Sequence, residues 1–372
     1  MRIAIVAPPF IPVPPRRYGG TELFIAHLAS GLVDLGHEVI VYANGESALP
    51  CEVRWLYPKS EWPLTSDISN SLKDLNHTSW ACADAAGTVD VVHLNNSPGL
   101  AFSRLLREPM IYTLHHAREQ ALSDFYASFP AVTYVTISEF QRRLERMPRM
   151  VAIHHGLELH RYPVVERKQP YLSFLGRIAP VKGPHLAIEA ARKAGIPLKI
   201  AGEIQPMYRD YWETLVRPAV DGRFIEYVGE ADHSAKVELL GHSLAMLFPI
   251  QWNEPFGLVM IEAMACGTPV LAFPSGSVPE IVRDGVSGWM CRDVDEMAVR
   301  ARGPGVPAAS CRAHVAEHFS VEAMVRRYET VYQAAVASRE EPRRVLARPA
   351  EHAQKLTERT AVPVGKVVPA VQ

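Results

Sequence analysis

VVERKQPYLSFLGRIAPVKGPHLAIEAARKAG, residues 164–195, decides how the chain is divided. The polar stretch VVERKQP gives way to the apolar run YLSFLG (171–176), then a loop, then a segment with apolar residues at helical spacing. Pro184 stands where the first turn of a helix tolerates it. This restarts a pattern that already opens the chain. RIAIVA (2–7) is a continuous apolar run suited to a strand buried on both faces, and GGTELFIAHLASGLVDLGH (19–37) follows it as a helix. EVIVYA (38–43), VDVVHL (89–94), MIYTLH (110–115) and VTYVTIS (132–138) continue the series in the first half. PLKIAG (197–202), FIEYVG (224–229), LAMLFPI (244–250), TPVLAF (268–273) and SGWMC (287–291) continue it in the second. Strands alternating with helices imply parallel βαβ units in doubly wound sheets. The expectation is two α/β domains, residues 1–160 and 161–318, with a further helix over 319–338. The tail, 339–372, carries charge, Pro, Ala and Val without sustained periodicity and reads as disordered.

The bulk composition agrees. A chain of 372 residues suits two domains, and 48% hydrophobic with 21% charged residues is a globular composition. A net charge of −1 argues against a nucleic-acid partner, which calls for a basic excess or stripe. The five cysteines (51, 82, 266, 291 and 311) have no CxxC spacing and read as reduced thiols, not a disulfide frame or zinc site. MRIAIVAPPF reads as a first strand and not a signal peptide, and no apolar run approaches the ~20 residues that span a bilayer. The expected location is cytoplasmic.

In open α/β sheets, ligands bind beyond the carboxyl ends of the strands, so the loops after strands carry the functional question. After the first strand, PPFIPVPPRRYGGTE (8–22) places Gly19 and Gly20 directly before a helix. Glycines there let backbone amides approach a ligand, and a helix N-terminus favours negative charge. By itself the feature equally describes an ordinary loop and cap. In GRIAPVKGP (176–184), Arg177 and Lys182 flank a loop leading into a helix. Two cations there suit a diphosphate, the Arg as a fork and the Lys as a point charge. The spacing is not that of a P-loop, and two solvated surface charges are the bland alternative.

NEPFGLVMIEAMACGTPV (253–270) holds two carboxylates. Pro255 and Gly257 make a turn, so a helix begins near Gly257 or Leu258, with Glu254 in the loop and Glu262 about one turn inside. The amides of Phe256 to Val259 then lie at the positive end of that helix. Carboxylates accept hydrogen bonds from hydroxyls, and free amides donate to anionic oxygens. A ligand rich in hydroxyls and phosphate satisfies both. The alternative is that Glu254 caps the helix and Glu262 is solvated.

YGGTE (18–22), GRIAPVKG (176–183), EPFGLVMIEAMACGTPV (254–270) and GSVPEIVRDGVSG (276–288) together resemble the family-4 retaining glycosyltransferases of GT-B fold, the glycosyl transferases group 1. The resemblance runs from residue 1 to about 338. It implies two facing Rossmann-like domains with a cleft between them, the first on the acceptor side and the second binding a nucleotide sugar. Arg177 and Lys182 would hold the nucleotide diphosphate, with Gly19 and Gly20 facing it from the first domain. Glu254 would contact donor-sugar hydroxyls, and amides of Phe256, Gly257 and Leu258 would contact sugar or phosphate. Glu262 would hold the nucleotide ribose. His115, in MIYTLHH, would stand near the sugar's reacting carbon, so that His115 and Glu254 are the catalytic candidates. The helix over 319–338 would cross back to the first domain and couple domain closure. Two departures affect the acceptor side: HHGLE (154–158) stands where relatives often have Asn-Gly-Val-Asp, and Asn95 stands in place of the second histidine of His-x-His.

The implied reaction is transfer to an acceptor hydroxyl with retention at the anomeric carbon. The charge of the departing diphosphate would be stabilised by Arg177, Lys182 and helix amides. The acceptor class stays open among saccharide, glycolipid and small molecule. No metal and no cofactor is expected, the nucleotide-diphosphate sugar being a co-substrate. His115 and His116 without nearby carboxylates are poor metal ligands. DVD (293–295) matches the Asp-x-Asp of metal-dependent GT-A transferases in form, but it opens DVDEMAVR, where Asp is the expected cap. The competing readings are a sugar-nucleotide epimerase or hydrolase on the same fold, and a non-catalytic sugar-nucleotide-binding protein. A dehydrogenase is disfavoured because no GxGxxG follows a strand. FQRRLERMPRM (140–150), with Arg142, Arg143, Arg146 and Arg149, reads either as a solvated helix face or as a peripheral contact with anionic lipid.

Overall fold

β1 (Arg2–Val6) sits at the centre of a seven-stranded sheet because Ile3, Ala4, Ile5 and Val6 bury both faces completely. The computed structural model describes residues 1–16, 19–62, 64 and 68–338. The first sheet continues with β2 (Glu38–Ala43), β3 (Glu52–Trp55), β4 (Val91–Leu94), β5 (Met110–Leu114), β6 (Thr133–Thr136) and β7 (Met150–Ala152). Its order is β3-β2-β1-β4-β5-β6-β7 with every pairing parallel, and Ile5 stands beside Val41 on one side and His93 on the other. The second sheet comprises β8 (Leu172–Leu175), β9 (Leu198–Ala201), β10 (Ile225–Gly229), β11 (Met246–Phe248), β12 (Val270–Ala272) and β13 (Gly288–Met290). It is parallel too, in the order β10-β9-β8-β11-β12-β13. Each sheet is covered on both faces, as parallel sheets require.

The strand order reverses between β1 and β4 in one sheet and between β8 and β11 in the other. These are the switch points at which a doubly wound sheet opens a crevice beyond its carboxyl edge. The two crevices face one another. Helix Val321–Ala337 leaves the second domain and packs on the first, where Val321, Met324, Val325, Tyr328 and Tyr332 join the core of Ile3, Phe24 and Leu28. Its tyrosines reach into the sheet, with Tyr332 Oη 2.7 Å from His93 Nδ1 and Tyr328 Oη 3.0 Å from Thr113 Oγ1. At the crossover the outgoing and returning chains are tied by Leu157 N to Phe319 O (2.9 Å) and Val321 N to Leu157 O (3.1 Å). The domains also touch through Glu280, whose carboxylate accepts from the amides of Glu139 (2.8 Å) and Phe140 and lies 3.0 Å from His154 Nε2. Trp62 Nε1 donates to Glu203 Oε1 at 3.0 Å, a further link across the seam.

Two strands were not foreseen. EVRW (β3) and MVA (β7) are half-exposed edge strands without the long apolar runs of the central ones. The segment over 140–150 is also not one helix. The helix spans Glu139–Leu144, Glu145 is extended, Pro148 follows, and Met150 enters β7. The four arginines are each exposed but share no single helical face. Among the described residues no helix is long and apolar enough to cross a membrane. The tail over 339–372 lies outside the described residues.

Candidate active site

The facing crevices form one cleft of about 340 Å³. Gly19, Gly20 and His115 line it from the first domain, and Arg177, Lys182, Glu254, Phe256, Gly257, Leu258 and Glu262 from the second. Every site residue expected from the sequence therefore lies on the same cavity.

The second-domain wall is built from the loop after β11. Helix Leu258–Ala265 starts at Gly257, whose φ of 83° is left-handed and whose Cβ, were there one, would lie 2.7 Å from Met260 Cε. Only glycine fits there without strain. The turn places Leu258 and Val259, the first residues of the helix, on the cleft, and the amides at this position have no intrahelical acceptor. Behind it, the GSVPE loop braces the turn: Ser277 N donates to Glu254 O (2.9 Å) and Ser277 Oγ to Phe256 O (2.8 Å). A Cβ on Gly276 would stand 2.3 Å from Glu254 N, so this second glycine permits the close approach. The two specific motifs of the second domain are thus one structural unit.

Both glutamates are buried and both are held. Glu254, 7% exposed, accepts from Trp252 Nε1 at 2.6 Å and forms an ion pair with Lys182. Glu262, 3% exposed, accepts from Tyr162 Oη at 3.1 Å and forms an ion pair with Lys236. Neither is a solvated residue. Burial depresses the Lys182 ammonium, and Glu254 opposes this only in part. Arg177 makes a long contact, 3.5 Å from Nη1 to Gln205 Oε1, and keeps most of its donor fork for the cleft.

The first-domain wall is plainer. Gly20 begins helix Gly20–Asp34, and a Cβ there would lie 3.4 Å from Leu258 Cδ1 across the cleft. Glu22, in the first turn, is pushed up to about 7 by burial, its own amide offsetting part of the rise. His115 directly follows β5. Its Nε2 lies 2.9 Å from Asn95 Oδ1, and Asn95 Nδ2 donates to Val6 O at 3.1 Å. The amide orientation makes Oδ1 the acceptor, so His115 carries its proton on Nε2. Burial, with smaller repulsions from His155, His93 and His116, holds its pKa well below the usual range, so the ring is neutral. His116 turns away to Ala117 O (2.7 Å) and Tyr126, so the two histidines do not form a chelating pair. Asp293 Oδ1 accepts from Glu296 N at 2.8 Å as the cap of helix Val294–Ala301, and Asp295 pairs with Lys193 at 2.7 Å. Among the described residues no group of three His, Cys, Asp or Glu side chains could hold a metal ion.

Residues 18–177 match the family model described as Glycosyltransferase Family 4, and residues 158–302 match that of Glycosyl transferases group 1. The D-inositol 3-phosphate glycosyltransferase of Mycobacterium avium (strain 104) is 31% identical, over 81% of this chain and 84% of its own. The chain belongs to the group 1, family-4 glycosyltransferases. The glycogen synthase of Mycobacterium tuberculosis (strain CDC 1551 / Oshkosh) is 26% identical over 81% of this chain and 85% of its own. Among solved structures, Anabaena Alr3699/HepE in complex with UDP and glucose superimposes with a TM-score of 0.71 at 18% identity, covering 90% of this chain and all of its own. The fold is GT-B.

The glycosyltransferase cleft also contains residues that sequence reading missed. Lys236, Glu203, Glu230, Trp252 and His155 line it. Glu203, Glu230 and Trp252 sit just past β9, β10 and β11, where the strand-end rule points. Lys236 lies inside the next helix, His233–His242, and only its pairing with Glu262 marks it out.

Proposed function

We propose that this glycosyltransferase moves a sugar from a nucleotide diphosphate to an acceptor hydroxyl, with retention at the anomeric carbon and without a metal ion. One observation carries the reading: two cations suited to a diphosphate and two buried carboxylates suited to hydroxyls line a single interdomain cleft. Arg177 and Lys182 take the diphosphate, assisted by the free amides at Gly257 and Leu258 and by the backbone at Gly19 and Gly20. Lys182 then exchanges Glu254 for phosphate, and Glu254 is released to the sugar hydroxyls. Glu262 accepts from the ribose hydroxyls. His115, neutral, stands at the reacting carbon. The bond from the anomeric carbon to the phosphate oxygen breaks and the bond to the acceptor oxygen forms on the same face. The acceptor's proton leaves on the departing phosphate, whose growing charge the preorganised cations stabilise. The UDP and glucose bound by Alr3699/HepE support a donor of this kind.

The experiment is a thermal-shift screen against UDP-glucose, GDP-mannose, ADP-glucose and dTDP-glucose, followed by transfer assays with EDTA present and NMR of the product's anomeric configuration. A donor that stabilises the protein and yields a product of unchanged configuration is expected. Inversion, or a strict requirement for added divalent ion, removes the corresponding part of the reading.

A further inference from the structure

The imidazole of His155 is 4% exposed and lines the cleft where the two domains meet. Three rings fix it. His115 lies nearly parallel to it, with centroids 5.8 Å apart and planes 11° apart. Phe256, from the turn that carries Glu254, meets it edge-on at 5.0 Å, and Phe24 packs at 4.9 Å. Its Nδ1 is buried without a hydrogen-bond partner, which leaves Nε2 as the polar atom that the ring can present to the cleft. Burial pushes its pKa down to about 3, with smaller repulsions from His154 and His27, so the ring is neutral.

A neutral imidazole has one N–H to place. On Nδ1 it would be a buried donor with no acceptor, the rarer and costlier kind of orphan. On Nε2 it points to the cleft. The stacked neighbour is complementary, because Asn95 holds the His115 proton on Nε2 and leaves its Nδ1 as a lone pair. One ring therefore offers a donor and the other an acceptor from adjacent parallel planes. A hydroxyl, donor and acceptor at once, matches that pair, whereas phosphate oxygens need donors only. The cations that suit phosphate lie on the other wall.

We propose that His155 reads the transferred sugar, donating from Nε2 to one of its hydroxyls. This rests on the donor reading given under Proposed function.

The test compares the wild type with His155→Phe, which keeps a ring between His115 and Phe256 but has no N–H, and with His155→Asn, which restores a side-chain N–H without the ring. Nucleoside-diphosphate affinity is measured by calorimetry with UDP, GDP, ADP and dTDP. Transfer is measured with the matching sugar nucleotide and its monodeoxy analogues. His155→Phe is expected to lower kcat/KM about tenfold with the nucleoside-diphosphate Kd changed less than about twofold, and to lose the wild type's discrimination against one monodeoxy donor. His155→Asn is expected to recover part of both. If His155→Phe is as active and as discriminating as the wild type, the inference is overturned. It is also overturned if both variants fall equally and lose nucleoside-diphosphate affinity, since packing alone does that. A wild type that binds none of the four nucleotides overturns the donor reading itself, a result visible before any variant is made.

Discussion

The two walls of the cleft are made of different chemistry. The second-domain wall carries Arg177, Lys182, Lys236, Glu254 and Glu262, with both carboxylates locked to lysines. The first-domain wall carries backbone at Gly19 and Gly20, the aliphatic Leu23 and the neutral ring of His115. The charged side chains of the cleft are thus confined to one domain, and the other contributes shape, backbone and neutral polar atoms. If this division is functional, substitutions on the second wall change donor binding, and those on the first change transfer with little effect on nucleotide affinity.

The largest effect is expected at Glu254. Glu254→Ala removes the proposed sugar contact and leaves Lys182 buried without the carboxylate that favours its charged form. Transfer is expected to fall by about 10²–10³-fold in kcat/KM. Steady-state assays check it, and full activity in this variant would break the site assignment. Glu262→Ala comes next. The proposed hydrogen bond from a ribose hydroxyl to the buried carboxylate is lost, so the nucleoside-diphosphate Kd should rise about ten- to a hundredfold, with kcat at saturating donor nearly unchanged. His115→Ala should do the reverse, lowering kcat and leaving that Kd alone. Calorimetry beside kinetics separates the two patterns. Matching Kd losses on both walls would show that the division is not functional.

The sequence shows this division unevenly. RIAIV, VVHL and LSFL read as strands because a parallel strand buried on both faces must be apolar throughout, and the strand-end rule then names the loops. β3 and β7 escaped because an edge strand is half exposed and needs no such run. EPFG and GSVPE are each recognisable, but that Ser277 and Gly276 brace the Glu254 turn depends on packing between residues far apart in sequence. Lys236 carries no motif, since a lysine in a polar helix reads as solvated until Glu262 is found beside it. The contact of His155 with His115 and Phe256 joins three separate segments, and no local periodicity reports it.

The seam between the walls can be probed through Glu280. Burial raises its pKa, but His154 and the amides of Glu139 and Phe140 outweigh that and hold the carboxyl below its usual range. A carboxylate depressed in the folded state contributes stability above its unfolded pKa and loses it as pH falls through the folded value. Glu280→Gln should therefore cost about 1 kcal/mol near neutral pH, the scale of an anion at a helix N-terminus. The difference from wild type should shrink as the pH drops below about 4. Denaturant midpoints measured across that range check it. A difference independent of pH would mean that the charge of Glu280 does not hold the seam.

The smallest effect is expected outside the cleft, at Asp293. Its carboxylate caps helix Val294–Ala301 through Glu296 N, and Asp295 is engaged by Lys193, so the Asp-x-Asp pattern is spent on local structure. Asp293→Ala should cost about 1 kcal/mol in stability, as cap removal does, while kcat/KM stays within about twofold of wild type once the folded fraction is matched. If transfer collapses instead, and added divalent ion restores it, then a charge-bearing centre lies outside the second-domain wall, and the contrast between the two walls no longer accounts for the chemistry.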